Sequence, residues 1–174
     1  MKLFLLAIAG LAIATPAAAE VKSASDGGFE VVSVETVKAT PAAAYDALRN
    51  PGQWWNGEHS YSGDAKNMTI DARAGGCFCE RTPGGGTIEH GRIIYAQPGK
   101  VLRFVGGLGP LQSEAITATM TWTIEPAPGG AKITQRYVAS GYMPGGLKGI
   151  APVVDKVLAE QLGRLKVILD KPAG

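Results

Sequence analysis

The sequence carries little net charge, and its charged residues are not clustered. Its 17 lysines and arginines nearly balance 15 aspartates and glutamates, so the formal net charge is only +2. Binding to a nucleic acid or to an anionic membrane surface requires clustered basic residues. The absence of a cluster therefore argues against both partners. An apolar fraction of 45% also excludes a disordered chain.

Cysteine and histidine are equally scarce, with two of each. Cys77 and Cys79 stand at C-x-C spacing in a predicted strand, about 6.6 Å apart on one face, so a disulfide between them requires a local kink or bulge. Three interpretations stay open: a structural thiol pair or bridge, a redox-active pair, and metal ligands. With no C-x-x-C and only two separated histidines, the pattern favours no metal site and indicates no cofactor.

The only long apolar run lies at the amino terminus. Residues 3–14 follow Lys2, and three alanines precede Glu20, which is typical of a secretory signal peptide cleaved after residue 19. Twelve helical residues span only about 18 Å of a bilayer core near 30 Å. We therefore expect residues 1–19 to be removed and residues 20–174 to form one domain without stable membrane insertion. The alanine-rich leader suggests export to a bacterial periplasm.

Glycine is abundant, with 24 residues, about twice the usual share. The order of elements begins with a strand over 29–38 and a helix that Thr40 caps and that runs to Leu48. A second short helix is predicted over 53–56. About six strands punctuated by glycine and proline follow over 68–142, and a long amphipathic helix spans 147–169.

Two hairpins have a register that the sequence predicts. In the first, a loop over 126–130 pairs Glu125 with Lys132. One face, which we expect to be buried, then pairs Ile124 with Ile133, Trp122 with Gln135, Met120 with Tyr137 and Ala118 with Ala139.

The second hairpin turns at Pro98-Gly99, a type II signature. It is predicted to pair Tyr95 with Leu102 and Ile93 with Phe104 on the core face. His90, Arg92 and Arg103 then lie on the outer face, unless a bulge near Gly91 reverses the local orientation.

These elements predict an α+β fold in which a curved antiparallel sheet of about seven strands wraps around the long C-terminal helix, with two short helices after the first strand. The chain resembles the helix-grip fold of the START-like, or SRPBCC, superfamily, which includes polyketide cyclases and heat-shock-ATPase activator homologues. The resemblance rests on four features: A-T-P-A-A-A-Y-D-A-L at 39–48, the pair Trp54-Trp55, P-G-K-V-L at 98–102, and the final helix. The resemblance implies an apolar cavity and no particular reaction. A chaperone-activator role conflicts with the predicted leader.

The partner that we expect is a small apolar or aromatic molecule held between sheet and helix; no pattern indicates an oligomeric state. The predicted lining is Trp55, Tyr95, Phe104, Met120, Trp122, Gln135, Tyr137, Leu158 and Leu162. Possible polar anchors are His59, His90, Arg92 and Arg103.

Two alternatives to a binding protein remain. One is an enzyme of cyclase or hydratase type, in which His59 or the Tyr137–Gln135 pair handles protons. The other is a thiol redox role for Cys77 and Cys79.

Overall fold

An antiparallel sheet and a long C-terminal helix dominate residues 20–171, the part of the chain that the computed structural model describes. The eight strands in this part follow the order β1-β2-β8-β7-β6-β5-β4-β3. They are β1 (Glu20–Ser25), β2 (Gly28–Val37), β3 (Met68–Ile70), β4 (Cys77–Arg81), β5 (Thr87–Gln97), β6 (Val101–Val105), β7 (Ala115–Ala127) and β8 (Gly130–Tyr142); the helices are α1 (Pro41–Leu48) and α2 (Ala151–Leu169). The predicted signal peptide lies outside the described residues. The α+β fold class is confirmed.

The hairpin of β7 and β8 has the predicted register. Glu125 lies opposite Lys132 and Trp122 opposite Gln135, and the pairing extends inward to a turn at Pro128-Gly129. Period-two alternation in both strands buries one face of the hairpin. A shift of the register by one residue would expose every apolar side chain on that face, so the alternation specifies the register.

The hairpin of β5 and β6 follows the prediction only in part. Its turn is at Pro98-Gly99, where Gly99 has a φ of +72°, and Ile93 lies opposite Phe104 as expected. A bulge after Ile93 then places Tyr95 opposite Arg103 and not Leu102. The predicted core-facing position of Tyr95 is therefore wrong, since the extra residue turns its side chain outward, where it is 42% exposed.

A second bulge lies between β4 and β5 and moves His90 inward. Phe78 pairs with Gly91, and Cys79 pairs with Glu89, so His90 is the extra residue. A side chain at Gly91 would collide with the ring of Phe104, which makes glycine a requirement of this bulge. His90 therefore does not take the outer position of the regular register. The stated alternative, a bulge near Gly91 that reverses the local orientation, is present, and both His90 and Gly91 are buried.

Two further elements differ from the sequence prediction. Strand β1 was not predicted, because the short polar segment E-V-K-S-A-S forms an edge strand with little apolar signal. No α-helix forms over 53–56; short 3₁₀ turns at Pro51–Gln53 and Gly57–His59 flank the tryptophan pair instead.

Helix α1 begins as predicted, with the Thr40 hydroxyl accepting a hydrogen bond from the Ala43 N–H at 3.3 Å. Helix α2 begins at Ala151, later than predicted, with Pro152 in its first turn. Its buried face, which includes Leu158, Leu162 and Leu165, packs against the sheet and closes the core.

Candidate functional site

A cavity of about 510 Å³ lies between the start of α2 and two loops, one after the tryptophan pair and one between β6 and β7. Val153, Val154, Val157 and Leu158 form its helical wall, because residues at this spacing share one face of α2. Val153 is 59% exposed although it is apolar. The full lining is Trp55, Glu58, His59, Ser60, Tyr61, His90, Leu108, Gly109, Pro110, Ile150, Val153, Val154, Val157 and Leu158.

The loop after the tryptophan pair is fixed to α2 by hydrogen bonds. The backbone N–H of Asn56 donates to Gln161 Oε1 at 2.7 Å, and its side-chain amide donates to Glu160 Oε1 at 2.7 Å. Arg164 Nε donates to the Trp54 carbonyl at 2.9 Å. These contacts hold one wall of the cavity at a set distance from the helix.

The exposed end of the same loop carries His59. Its Nε2 lies 3.4 Å from Glu160 Oε2, and its backbone carbonyl accepts a hydrogen bond from Trp55 Nε1 at 3.0 Å. His59 therefore lines the mouth of the cavity, where both it and Glu160 are partly exposed.

The two loops of the rim are joined by one side chain. The Tyr61 hydroxyl donates to the Gly109 carbonyl at 3.0 Å and so ties the first loop to the β6–β7 loop. The latter loop is in turn held from below, because the Leu108 N–H donates to the buried Tyr137 hydroxyl at 3.0 Å.

A buried carboxylate–imidazole pair lies beneath this rim. His90 Nε2 is 2.9 Å from Glu80 Oε2, and the side chains of Glu80 and His90 are 0% and 4% exposed. The same carboxylate accepts hydrogen bonds from the backbone N–H groups of Tyr61, at 3.1 Å, and Ser62. Glu80 thus has three donors, and the loop after the tryptophan pair is anchored to β4 as well as to α2.

Burial and hydrogen bonding set the charges of this pair. Burial alone would raise the pKa of Glu80, but hydrogen bonds from Ser62, Tyr61 and His90 outweigh it and hold the pKa below its ordinary value. Burial lowers the pKa of His90, and the Glu80 carboxylate offsets only part of that effect. Both directions favour an ionised carboxylate beside a neutral imidazole at neutral pH.

Residues 28–169 match the family described as polyketide cyclase / dehydrase and lipid transport. The chain belongs to this family. The match spans most of the chain and confirms the resemblance to the polyketide cyclase-like members of the superfamily.

Solved structures share the fold of this family member at low sequence identity. The protein MLL2253 from Mesorhizobium loti is 21% identical with a TM-score of 0.60, over 83% of this chain and 99% of that one. Ms6760 from Mycobacterium smegmatis is 15% identical with a TM-score of 0.60, over 92% and 98%. CalU16 from Micromonospora echinospora is 14% identical with a TM-score of 0.57, over 91% and 87%. A comparison with curated proteins finds no match.

Only part of the predicted lining borders the cavity in this family member. Trp55 and Leu158 line it, as do two of the predicted anchors, His59 and His90. The remaining core-facing residues lie deeper, where side chains fill the space between sheet and helix. This sealed core contains Phe104, Met120, Trp122, Gln135, Tyr137 and Leu162, each 2% exposed or less.

The polar groups of the sealed core are used within the protein. Gln135 Oε1 accepts from Trp122 Nε1 at 2.8 Å, and Gln135 Nε2 donates to the Leu158 carbonyl at 2.9 Å. The Tyr137 hydroxyl donates to the Gly106 carbonyl at 3.1 Å. Burial raises the pKa of Tyr137 well above its ordinary value.

The predicted cluster of one histidine and two arginines is divided between the two faces of the sheet. His90 faces the interior. Arg92 pairs with Glu89 and donates to the Gly75 carbonyl at 3.1 Å on the outer face. Arg103 lies over the Tyr95 ring, with its guanidinium carbon 5.7 Å from the ring centroid. Tyr95, Arg92 and Arg103 are therefore not brought together with the cavity.

Cys77 and Cys79 form a disulfide in β4, with Cα atoms 5.4 Å apart. Both are half-buried on the face of the sheet opposite Phe78 and Glu80, which point inward. Among the described residues, no three histidine, cysteine, aspartate or glutamate side chains are grouped as metal ligands. No helix in residues 20–171 is long and apolar enough to cross a membrane.

Sequence reasoning missed Glu80, the most buried carboxylate of the site. The alternation of β4 carried a signal for it, since an inward Phe78 requires an inward Glu80 two residues later. It also missed the apolar residues Leu108 and Pro110, because they lie in a loop without periodicity.

Proposed function

We propose that this protein binds a small apolar or aromatic molecule in the cavity beside the start of α2. The observation that carries the proposal is the cavity itself. Its volume of about 510 Å³ lies within the usual range of small-molecule sites, roughly 300–1,000 Å³. Its walls combine aliphatic residues of α2 with Trp55, Leu108 and Pro110.

The surrounding contacts support a preformed site. Both loops of the rim are tied to the fold, through Asn56 to α2 and through Leu108 to Tyr137. A site held open in this way spares the ligand most of the cost of ordering loops on binding.

Titration calorimetry with two apolar probes, 1-methoxynaphthalene and methyl decanoate, tests the proposal. We expect saturable one-to-one binding of at least one probe to the wild type. Val157→Trp fills the cavity and should weaken binding at least tenfold. The matched control is Val167→Trp, which places the same side chain at a 63% exposed position of α2 outside the cavity and should bind as the wild type does.

The proposal fails if neither probe binds the wild type saturably. It also fails if Val157→Trp binds as tightly as Val167→Trp, because the ligand would then occupy some other surface.

We propose as the alternative an enzyme of cyclase or hydratase type that uses the same cavity. The position of His59 at the mouth beside Glu160 favours it. His59→Gln would then abolish turnover while leaving probe affinity intact, whereas a binding protein would show no turnover to lose.

A thiol redox role for Cys77 and Cys79 is the further alternative, and their disulfide is the observation that favours it. The cysteines lie on the opposite face of the sheet from the cavity. Reduction of this disulfide would therefore not directly change the contacts of a ligand in the cavity.

We propose further that the chain is exported to a bacterial periplasm. The leader over 1–19 supports this, and so does the disulfide, because such bonds persist in oxidising compartments. Amino-terminal sequencing of the protein from a bacterial periplasm should begin at Glu20; a cytoplasmic protein that begins at Met1 would contradict it.

A further inference from the structure

The buried pair of Glu80 and His90 has a defined proton arrangement. A carboxylate is only an acceptor when it is ionised, and Glu80 already accepts from the Tyr61 and Ser62 N–H groups. The 2.9 Å contact with His90 Nε2 is therefore a third donated hydrogen bond, with the proton on Nε2. In a neutral ring this leaves Nδ1 with a free lone pair.

The second ring nitrogen is not fully enclosed by the protein. His90 lines the cavity, and its Nδ1 has no hydrogen-bond partner among residues 20–171. The sealed polar atoms without a partner in that part of the chain are Tyr45 Oη, Asp155 Oδ1 and Gln161 Nε2, so His90 Nδ1 is not sealed in protein. The free lone pair is accordingly within reach of a molecule in the cavity.

The ring is also held in place. Its centroid lies 4.9 Å from that of Phe78 and 5.9 Å from that of Tyr61. The Tyr61 hydroxyl donates to the Gly109 carbonyl, so it does not compete for Nδ1. The other polar side chains of the lining are not equivalent, because Glu58 and His59 are exposed and the Ser60 hydroxyl donates to Gly57.

We propose that His90 Nδ1 is the hydrogen-bond acceptor of the cavity, oriented by Glu80, and that the ligand is a neutral apolar molecule bearing a hydroxyl donor, such as a phenol. This inference rests on the proposed binding function and specifies its ligand class. The anionic Glu80 behind the imidazole disfavours a carboxylate at the same position, so the free anion of a fatty or aromatic acid is selected against.

Three probes of similar shape test this preference by titration calorimetry: 1-naphthol, 1-methoxynaphthalene and 1-naphthoate. One hydrogen bond to a buried acceptor corresponds to about a tenfold difference in affinity. We expect the wild type to bind 1-naphthol about tenfold more tightly than 1-methoxynaphthalene, and 1-naphthoate more weakly than either.

The variant His90→Phe keeps an aromatic ring and removes the acceptor. Its preference for 1-naphthol over 1-methoxynaphthalene should fall from about tenfold to about one, while 1-methoxynaphthalene still binds. The matched control is Ile94→Phe, which places the same ring on the outer side of β5 and should keep the wild-type preference.

A measurement on the wild type covers the case in which His90→Phe does not fold. In a long-range ¹H–¹⁵N spectrum, 1-naphthol should shift the Nδ1 resonance of His90, and 1-methoxynaphthalene should not. Equal affinity for the two neutral probes, or an unmoved Nδ1, overturns this inference and leaves the binding function standing. Failure of all three probes and of methyl decanoate to bind overturns both.

Discussion

The two halves of α2 cover interiors of different character. Beneath Leu162 and Leu165 the facing side chains of the sheet are buried, and the amide of Gln135 is bonded at both its oxygen and its nitrogen. Val154 and Val157 instead line the cavity of about 510 Å³.

Three buried polar side chains show the same contrast. In the sealed core, Gln135 and Tyr137 find their partners within the protein, whereas His90 has a partner for only one of its two nitrogens. A buried polar group that is fully bonded supports the fold, and one that is half bonded beside a cavity is available to a ligand. This difference distinguishes the sealed core from the candidate ligand site, although both lie beneath α2.

We expect the largest loss of unfolding free energy from truncation of a side chain in the sealed core. Trp122→Ala removes a fully buried ring and leaves Gln135 Oε1 without its donor, which should cost about 3–5 kcal/mol of unfolding free energy. Val154→Ala, in the wall of the cavity, should cost less than about 1 kcal/mol because it opens onto existing space. Urea denaturation measures both, and equal losses would contradict the division into two regions.

Removing the charge of Glu80, beneath the rim of the cavity, should cause the next largest loss of stability. Glu80→Gln cannot accept from all three donors, so we expect a loss of about 2–4 kcal/mol. The control is Glu89→Gln on the neighbouring strand, where the carboxylate is 44% exposed and paired with Arg92. This substitution should lower the free energy of unfolding by less than about 1 kcal/mol. A loss for Glu80→Gln no larger than that for Glu89→Gln would show that the buried pair does not hold the loop.

The accuracy with which the sequence predicts strand register differs between strands. The register of β7 and β8 followed from alternation in both strands, and every expected pair, including Met120 with Tyr137, is present. The two bulges of β5 left a weaker signal. Gly91 marks a possible bulge beside His90, whereas the extra residue that turns Tyr95 outward changes its facing without changing composition.

The position of the cavity was harder to predict than the fold. Alternation shows that Met120 and Trp122 face inward, but it does not show whether they line a space or fill it. That depends on the packed volume of side chains from several strands, which no single segment encodes. Trp55, His59 and His90 were identified as candidate site residues, and the apolar loop that completes the cavity was not.

The disulfide should contribute a smaller effect, confined to stability. The bridged cysteines are separated by only two positions in sequence, so the closed loop is very short and the bond should be worth about 1–2 kcal/mol. The double variant Cys77→Ala/Cys79→Ala should lose this amount and keep wild-type affinity for 1-methoxynaphthalene, because both cysteines lie on the outer face. Loss of binding would show that the cavity depends on the bridge.

The smallest predicted effect is a pH dependence of stability. The pKa of His90 is lower in the folded protein than its unfolded value of about 6.5, so the unfolded chain takes up more protons as the pH falls below that value. Stability should be flat above pH 7 and decline below about pH 6.5, by no more than about 1.4 kcal/mol per pH unit for one proton.

Two titratable side chains face the imidazole, Glu80 from β4 and Tyr61 from the loop above. The Glu80 carboxylate keeps its charge in this window, because its pKa is lowered from its ordinary value. The difference between wild type and His90→Phe in urea melts from pH 8 to pH 5 isolates the contribution. An identical slope in both proteins would rule it out.

A methyl NMR map tests most directly whether the cavity is the binding site. In protein labelled at valine, leucine and methionine methyl groups, saturating 1-methoxynaphthalene should shift the resonances of Val153, Val154 and Val157 and leave those of Met120 and Leu162 in place. Shifts concentrated at Met120 and Leu162, or no saturable shift at the three valines, would contradict a ligand site beside the start of α2.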